Sequence, residues 1–193
     1  MKNYFVTGAT GAIGSALIPL LLADPETRVQ LLLRAKSPQE LAERREELCR
    51  FWEIAAEDVP VRERIQAWCG DVTLPRFGLE DATYSALAAE CTHIVHSAGN
   101  VRMNLPIEQA RHSSVDSAVN ILELANACRK LQKIEFVSTV GVGGRTRGAD
   151  SHSSGTAPRV RPPTPTVLTN SIFWSFLHAF ASSRIFTAES TDE

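Results

Sequence analysis

Tyr4-Phe5-Val6-Thr7-Gly8-Ala9-Thr10-Gly11-Ala12-Ile13-Gly14 begins as an apolar run and breaks into a loop with glycine at every third position. Ser15-Ala16-Leu17-Ile18 then resumes an apolar pattern, so the stretch reads as strand, tight turn and helix N-terminus. Gly8 allows the turn. Gly11 lets backbone approach a phosphate with no Cβ in the way, and Gly14 lets helix and strand pack closely. The unpaired N–H groups and the positive end of the helix dipole face an anion at that point. Directly after an N-terminal strand, such a loop predicts a dinucleotide held by its pyrophosphate.

Working outward, Val29-Gln30-Leu31-Leu32-Leu33 reads as a second buried strand. Ser37-Pro38-Gln39-Glu40 starts a helix, with Ser37 as N-cap and Glu40 reaching back as a capping box; its apolar stripe is Leu41, Leu48 and Trp52. A third strand, Arg64-Ile65-Gln66-Ala67-Trp68-Cys69, closes on Gly70-Asp71. Residues 81–89 form a short helix, and His93-Ile94-Val95-His96 a fourth strand. A long helix is predicted over roughly 113–130, with Val115, Ala118, Val119, Leu122 and Leu124 inward, and Ile134-Glu135-Phe136-Val137-Ser138 is the fifth strand. Strands alternating with helices imply an α/β fold with a doubly wound parallel sheet of the Rossmann type. Right-handed crossovers give the order 3-2-1-4-5, with a ligand crevice at the carboxyl ends where strands 1 and 4 diverge. Pro19 falls inside the first helix and cannot bond the Ser15 carbonyl, which predicts a kink.

The 193 residues suffice for one solid core, and 44% hydrophobic with 22% charged residues is ordinary for a globular protein. A net charge of −2 makes no electrostatic case for nucleic acid or an anionic membrane. Cys49, Cys69, Cys91 and Cys128 lack paired spacing and lie in or beside apolar segments, so buried thiols in a reducing compartment are expected. The first strand starts just after Met1 and no apolar run is long enough to span a bilayer. The expectation is a cytoplasmic protein without a leader.

Beyond Gly144 the composition shifts. The predicted organisation is a dinucleotide-binding domain over 1–144, followed by an irregular Ser/Thr/Arg/Pro-rich tail over 145–193. An apolar patch from Ile172 to Phe180 follows Asn170-Ser171 and reads as a short helix over about 171–181. That patch would either shield the edge of strand 5 or join copies into a homo-oligomer.

Arg34 stands where strand 2 ends, about twenty residues beyond the glycine loop. A carboxylate there suits the ribose 2′-hydroxyl of NAD, whereas a cation accommodates a 2′-phosphate. Arg34, aided by Lys36 and Arg44, therefore argues for NADP, since a guanidinium grips phosphate with two charge-assisted bonds. Asp71 and Val72 after strand 3 lie on the same rim, where a carboxylate can accept the adenine amino group. Ser97, Ala98 and Gly99 after strand 4 are small enough for close cofactor approach. With Gly8, Thr10, Gly11, Ala12, Ile13 and Gly14 these residues make up the expected cradle. His96 alone reads as a strand-end histidine. Ser138-Thr139 closes strand 5, where a hydroxyl can bond a substrate carbonyl or its oxyanion. His93, His112, His152 and His178 have no ligand spacing, so no metal site is expected.

Together these residues resemble the extended short-chain dehydrogenase/reductase superfamily, and within it the thioester reductase branch of fatty acyl-CoA reductases and terminal reductase domains. The resemblance rests on the glycine loop, on Leu33-Arg34-Ala35, on Gly70-Asp71-Val72-Thr73-Leu74-Pro75 with Gly78-Leu79, on His96-Ser97-Ala98-Gly99-Asn100-Val101, and on Phe136-Val137-Ser138-Thr139. It covers about residues 2–144. It implies NADPH as hydride donor to an acyl thioester, presented by CoA or a carrier, with release of an aldehyde or alcohol. It also implies a Ser or Thr, matched by Thr139, and a Tyr-x-x-x-Lys pair after strand 5. That pair has no match here, because the tyrosines are Tyr4 and Tyr84 and no lysine follows Lys133. Ser114 also departs, standing where the family usually carries Asn. The expectation is impaired turnover in a sheet incomplete at its C-terminal end, with the sequence truncated or frame-shifted after about residue 144. A divergent tail covering strand 5 is the alternative. A binding module without turnover and a sugar-nucleotide epimerase or dehydratase remain competing functions, the latter disfavoured by Gly-Asp-Val-Thr-Leu-Pro. With the fold starting at Met1, any acyl carrier is expected to be a separate protein.

Overall fold

Apolar runs without alternation form strands buried on both faces, as a parallel sheet requires. The computed structural model describes residues 1–100 and 106–137. Five strands, β1 (Lys2–Thr7), β2 (Thr27–Leu33), β3 (Ile65–Cys69), β4 (His93–His96) and β5 (Lys133–Phe136), pair in parallel in the order β3-β2-β1-β4-β5. The order reverses between β1 and β4, which opens the crevice beside the glycine loop.

Helices cover both faces. Beneath α1 (Ala12–Leu22) and α2 (Pro38–Phe51), Val6, Val29, Leu31 and Val95 meet Leu17, Ile18, Leu48 and Trp52. The short α3 (Val59–Arg62), not anticipated from sequence, leads into β3. On the opposite face Phe5, Leu32, Ile94 and Ile134 meet Tyr84 and Leu87 of α4 (Asp81–Glu90) and Ile121 and Leu124 of α6 (Ser117–Ala127). Residues 113–130 are not one helix. The structure starts earlier, with α5 (Ile107–Arg111), and passes through a π-helical turn at His112–Asp116 before α6.

That turn changes the phase of the buried face. Ser117, Asn120, Ile121 and Leu124 point inward, whereas Val115, Val119 and Leu122 are 49%, 47% and 50% exposed, contrary to the sequence expectation. Two polar residues hold the inner stripe because each has a partner: Ser117 Oγ donates to Ser113 O, and Asn120 Nδ2 donates to Val72 O at 2.9 Å. The capping of α2 is close to the prediction. Ser37 Oγ accepts from Glu40 N, but the Glu40 carboxylate accepts from Lys36 N, one residue outside the cap.

Helix α1 continues through Pro19. The Ser15 carbonyl that Pro19 cannot serve is taken by the indole of Trp52, with Nε1 donating at 2.9 Å. Cys69 corrects a further expectation. Cys49, Cys91 and Cys128 are buried, but Cys69 ends the edge strand β3 and is exposed, donating to Ala35 O.

Candidate functional site: a dinucleotide cradle

The turn between β1 and α1 is built around its glycines. Gly8 lies at φ +76°, and a Cβ on it would stand 2.5 Å from Ala98 N. A Cβ on Gly14 would stand 2.2 Å from Gly8 O and 2.8 Å from Ser97 Oγ. These two glycines are therefore demanded by packing. Gly11, the exposed N-cap of α1, would bring its Cβ no closer than 3.3 Å to Gly8 O, so its openness faces outward. Its N–H is spent on Gly8 O, while Ala12, Ile13 and Gly14 begin the helix with no acceptor in a preceding turn. Thr10 and Ala12 are exposed beside them and Ile13 is half-buried. Helix-start amides beside an exposed glycine suit the pyrophosphate of a dinucleotide.

The rim after β2 and β3 is preformed. Gly70 N donates to Leu33 O, tying the two strand ends together. Arg34 and Lys36 project into solvent, and neither forms an ion pair among the described residues. Arg44 is engaged instead by Glu40 at 3.3 Å, so the expected helper for Arg34 already has a carboxylate partner. Asp71 Oδ1 accepts from the Thr73 amide and hydroxyl, and Asp71 N donates to Phe77 O. Pro75–Gly78 forms a left-handed turn, with φ of +50° at Arg76 and +61° at Phe77, held by the fully buried Phe77 ring against Phe5. Together with Asn120 on Val72 O, this turn holds the Asp71-Val72 backbone in place. Sequence reasoning missed both supports. Only the unbroken Gly-Asp-Val-Thr-Leu-Pro-Arg-Phe-Gly run hinted at them.

After β4, Ser97 Oγ donates to Thr7 O at 2.7 Å, so its hydroxyl is occupied by the fold. Half-buried Ala98 and exposed Gly99 follow, and a Cβ on Gly99 would meet nothing within 4 Å. Gly8, Gly14, Ser97 and Ala98 thus meet at one point of the crevice, while Arg34, Lys36, Asp71 and Val72 share the adjoining rim. Thr139 lies outside the described residues, as do Ser138 and the region 145–193.

A family model described as male sterility protein, an NAD-binding family, matches residues 6–167. The chain belongs to this family. The large subunit of L-2-aminoadipate reductase from Penicillium chrysogenum is 32% identical over 140 residues, 70% of this chain and 10% of that protein. Fatty acyl-CoA reductase 1 of Gallus gallus is 33% identical over 144 residues, 72% of this chain and 28% of that protein. Among solved structures, the terminal R domain from the myxalamid PKS-NRPS biosynthetic pathway superposes with a TM-score of 0.64 at 29% identity, covering 73% of this chain and 35% of that one. The chain therefore spans about a tenth to a third of these relatives. The NAD-binding match includes the glycine turn, both rims and the start of the region beyond Gly144.

Among the described residues no helix is long and apolar enough to cross a membrane.

Proposed function

We propose that residues 1–144 form the NADPH-binding part of an acyl-thioester reductase, acting on a CoA- or carrier-bound acyl group, and that this chain turns over slowly. The single observation that carries the cofactor choice is the exposed Arg34 and Lys36, without an acidic partner among the described residues, at the end of β2. A carboxylate there would repel a 2′-phosphate, whereas a free guanidinium attracts it. The reductase class is supported by the names of the relatives, two of them reductases and one specifically of fatty acyl-CoA. The cradle fits the cofactor in that Gly11 is exposed and carries no Cβ beside the helix-start amides of Ala12, Ile13 and Gly14.

Bound NADPH would supply a hydride to the thioester carbonyl. The α1 amides would hold the pyrophosphate, Arg34 and Lys36 the 2′-phosphate, Asp71 the adenine amino group, and the 97–99 segment would bring close backbone to the cofactor. Thr139 would bond the carbonyl oxygen as negative charge develops there. No Tyr-x-x-x-Lys follows it in the sequence. A phenol needs an adjacent ammonium to shed its proton at neutral pH, and loss of such acid catalysis costs about 10² to 10⁴ in rate.

The test exploits Cys69, the exposed thiol beside the Arg34 rim. NADPH is expected to slow alkylation of Cys69 by N-ethylmaleimide more strongly than NADH does at equal concentration. Equal protection by NADH would remove the 2′-phosphate role, and no protection by either, together with no fluorescence change on titration, would remove the cofactor reading. Adding an acyl-CoA and following NADPH absorbance then measures the turnover.

A further inference from the structure

Two hydrogen bonds and one ring contact meet at His96, a buried residue that no role given above uses, and a third bond ends on the Thr7 hydroxyl beside it. Ala98 N–H, which can only donate, is directed at Thr7 Oγ1 at 3.4 Å. The Thr7 hydroxyl and His96 Nδ1 lie 2.8 Å apart, and with the imidazole proton on Nε2 the hydroxyl donates to Nδ1. The His96 ring stands edge-on to Phe136 of β5 at 5.2 Å between centroids, and its carbonyl accepts from Val137 N. One side chain thus spans β1, β4 and β5 at their carboxyl ends. The turn is tightly packed at the same point, where a Cβ on Gly8 would run into Ser97 and Ala98.

We propose that His96 is a positioning residue for the cofactor: with its proton on Nε2 it accepts the Thr7 hydroxyl, and the resulting chain Ala98 N–H to Thr7 O–H to His96 Nδ1 locks the 97–99 segment and the exit of β5 against the glycine turn. The role rests on the dinucleotide reading above. Burial pushes the His96 pKa down to about 4 and leaves the ring uncharged at neutral pH, as an accepting Nδ1 requires. An imidazolium would turn Nδ1 into a donor and leave the Thr7 hydroxyl proton without that acceptor. The ring contact continues the influence into β5, three residues before Thr139.

The experiment measures NADPH and adenosine 2′,5′-bisphosphate affinities for the wild type, Thr7→Val, His96→Phe, the double variant and His96→Asn. The bisphosphate carries only the half of the cofactor assigned to the Arg34 and Asp71 rim. His96→Phe keeps an aromatic ring against Phe136 but loses the acceptor, and His96→Asn keeps an acceptor near Nδ1. His96→Phe is expected to weaken NADPH about fivefold to tenfold and Thr7→Val, which also loses the acceptor of Ala98 N–H, at least as much. The double variant should lose no more than Thr7→Val, because both single changes break the same Thr7–His96 bond of about 1 kcal/mol. Bisphosphate affinity is expected to stay within about twofold, and His96→Asn to recover most of the loss. Additive losses, an equal loss for the bisphosphate, or wild-type NADPH binding by His96→Phe overturns the positioning role. Should His96→Phe fail to fold, Thr7→Val decides by the same split between the two ligands. A wild-type protein that binds neither ligand removes the cofactor reading itself, and the positioning role with it.

Discussion

Pro19 and Trp52 form a pair that can be tested by a double-mutant cycle. Proline at position 19 leaves the Ser15 carbonyl without its helical donor, and the Trp52 indole fills the vacancy at 2.9 Å. Trp52→Phe keeps an aromatic ring in the core beneath α1 and α2 but strands that carbonyl in a partly buried position. An acceptor left unsatisfied costs about 1–3 kcal/mol when fully buried, so about 1–2 kcal/mol is expected here, added to the loss from the smaller ring. Pro19→Ala supplies an N–H that restores the bond from position 19 to Ser15. In that background Trp52→Phe should cost only the loss of ring volume. The coupling is therefore expected at about 1 kcal/mol, above the 0.3–0.5 kcal/mol within which independent sites add. Urea unfolding of the four proteins, followed by far-ultraviolet circular dichroism because a tryptophan is removed, measures it. Ser15 lies in the first turn of α1, so Trp52→Phe should also weaken NADPH in the native background. Equal costs of Trp52→Phe in both backgrounds would refute the compensation of Pro19 by the indole.

Gly14→Ala should destabilise the fold by about 1–3 kcal/mol and sharply reduce NADPH binding, since its Cβ would lie 2.2 Å from the Gly8 carbonyl oxygen and α1 would have to move off the turn; thermal unfolding and fluorescence titration read both effects. Arg34→Gln should weaken NADPH about tenfold and leave NADH unchanged, with the NADPH loss shrinking in high salt as charge attraction is screened. His96 titrates at about 4 in the fold against 6.5 when unfolded, so the unfolded chain binds the proton first. Its contribution to stability is complete above pH 6.5, declines as pH falls from 6.5 to about 4, and reaches a loss of about 3 kcal/mol below that. His96→Phe should flatten this part of the stability curve in urea unfolding at stepped pH, and an unchanged slope would count against the buried neutral ring.

The family resemblance and the fold were legible early in the chain. The strands around Val29, His93 and Ile134, the cap at Ser37 and the glycine spacing all depend on neighbours within a few residues, and local patterns of that kind survive in a linear text, although β2 begins two residues and β5 one residue earlier than read. Two misreadings have a common cause. The inward face assigned to Val115, Val119 and Leu122 followed hydrophobicity at helical spacing, but the π-helical turn at His112–Asp116 shifted the register and let the polar Ser117 and Asn120 face inward with partners. Cys69 was taken as buried from its apolar neighbours, although its place at the end of the edge strand β3 exposes it.

By itself the sequence determined a parallel α/β sheet in the order 3-2-1-4-5, a glycine turn at the start of the first helix, and a cation after the second strand. Periodicity and turn chemistry are short-range properties. The tertiary structure alone decided which groups complete one another: Trp52 on the Ser15 carbonyl, Asn120 on Val72, Phe77 beneath Asp71, and His96 on Thr7. Those partners lie 37, 48 and 89 residues apart for the Trp52, Asn120 and His96 bonds. No local pattern encodes such a pairing, because a buried donor needs only an acceptor within about 3 Å in space, and the sheet register, not the spacing along the chain, brings the two together.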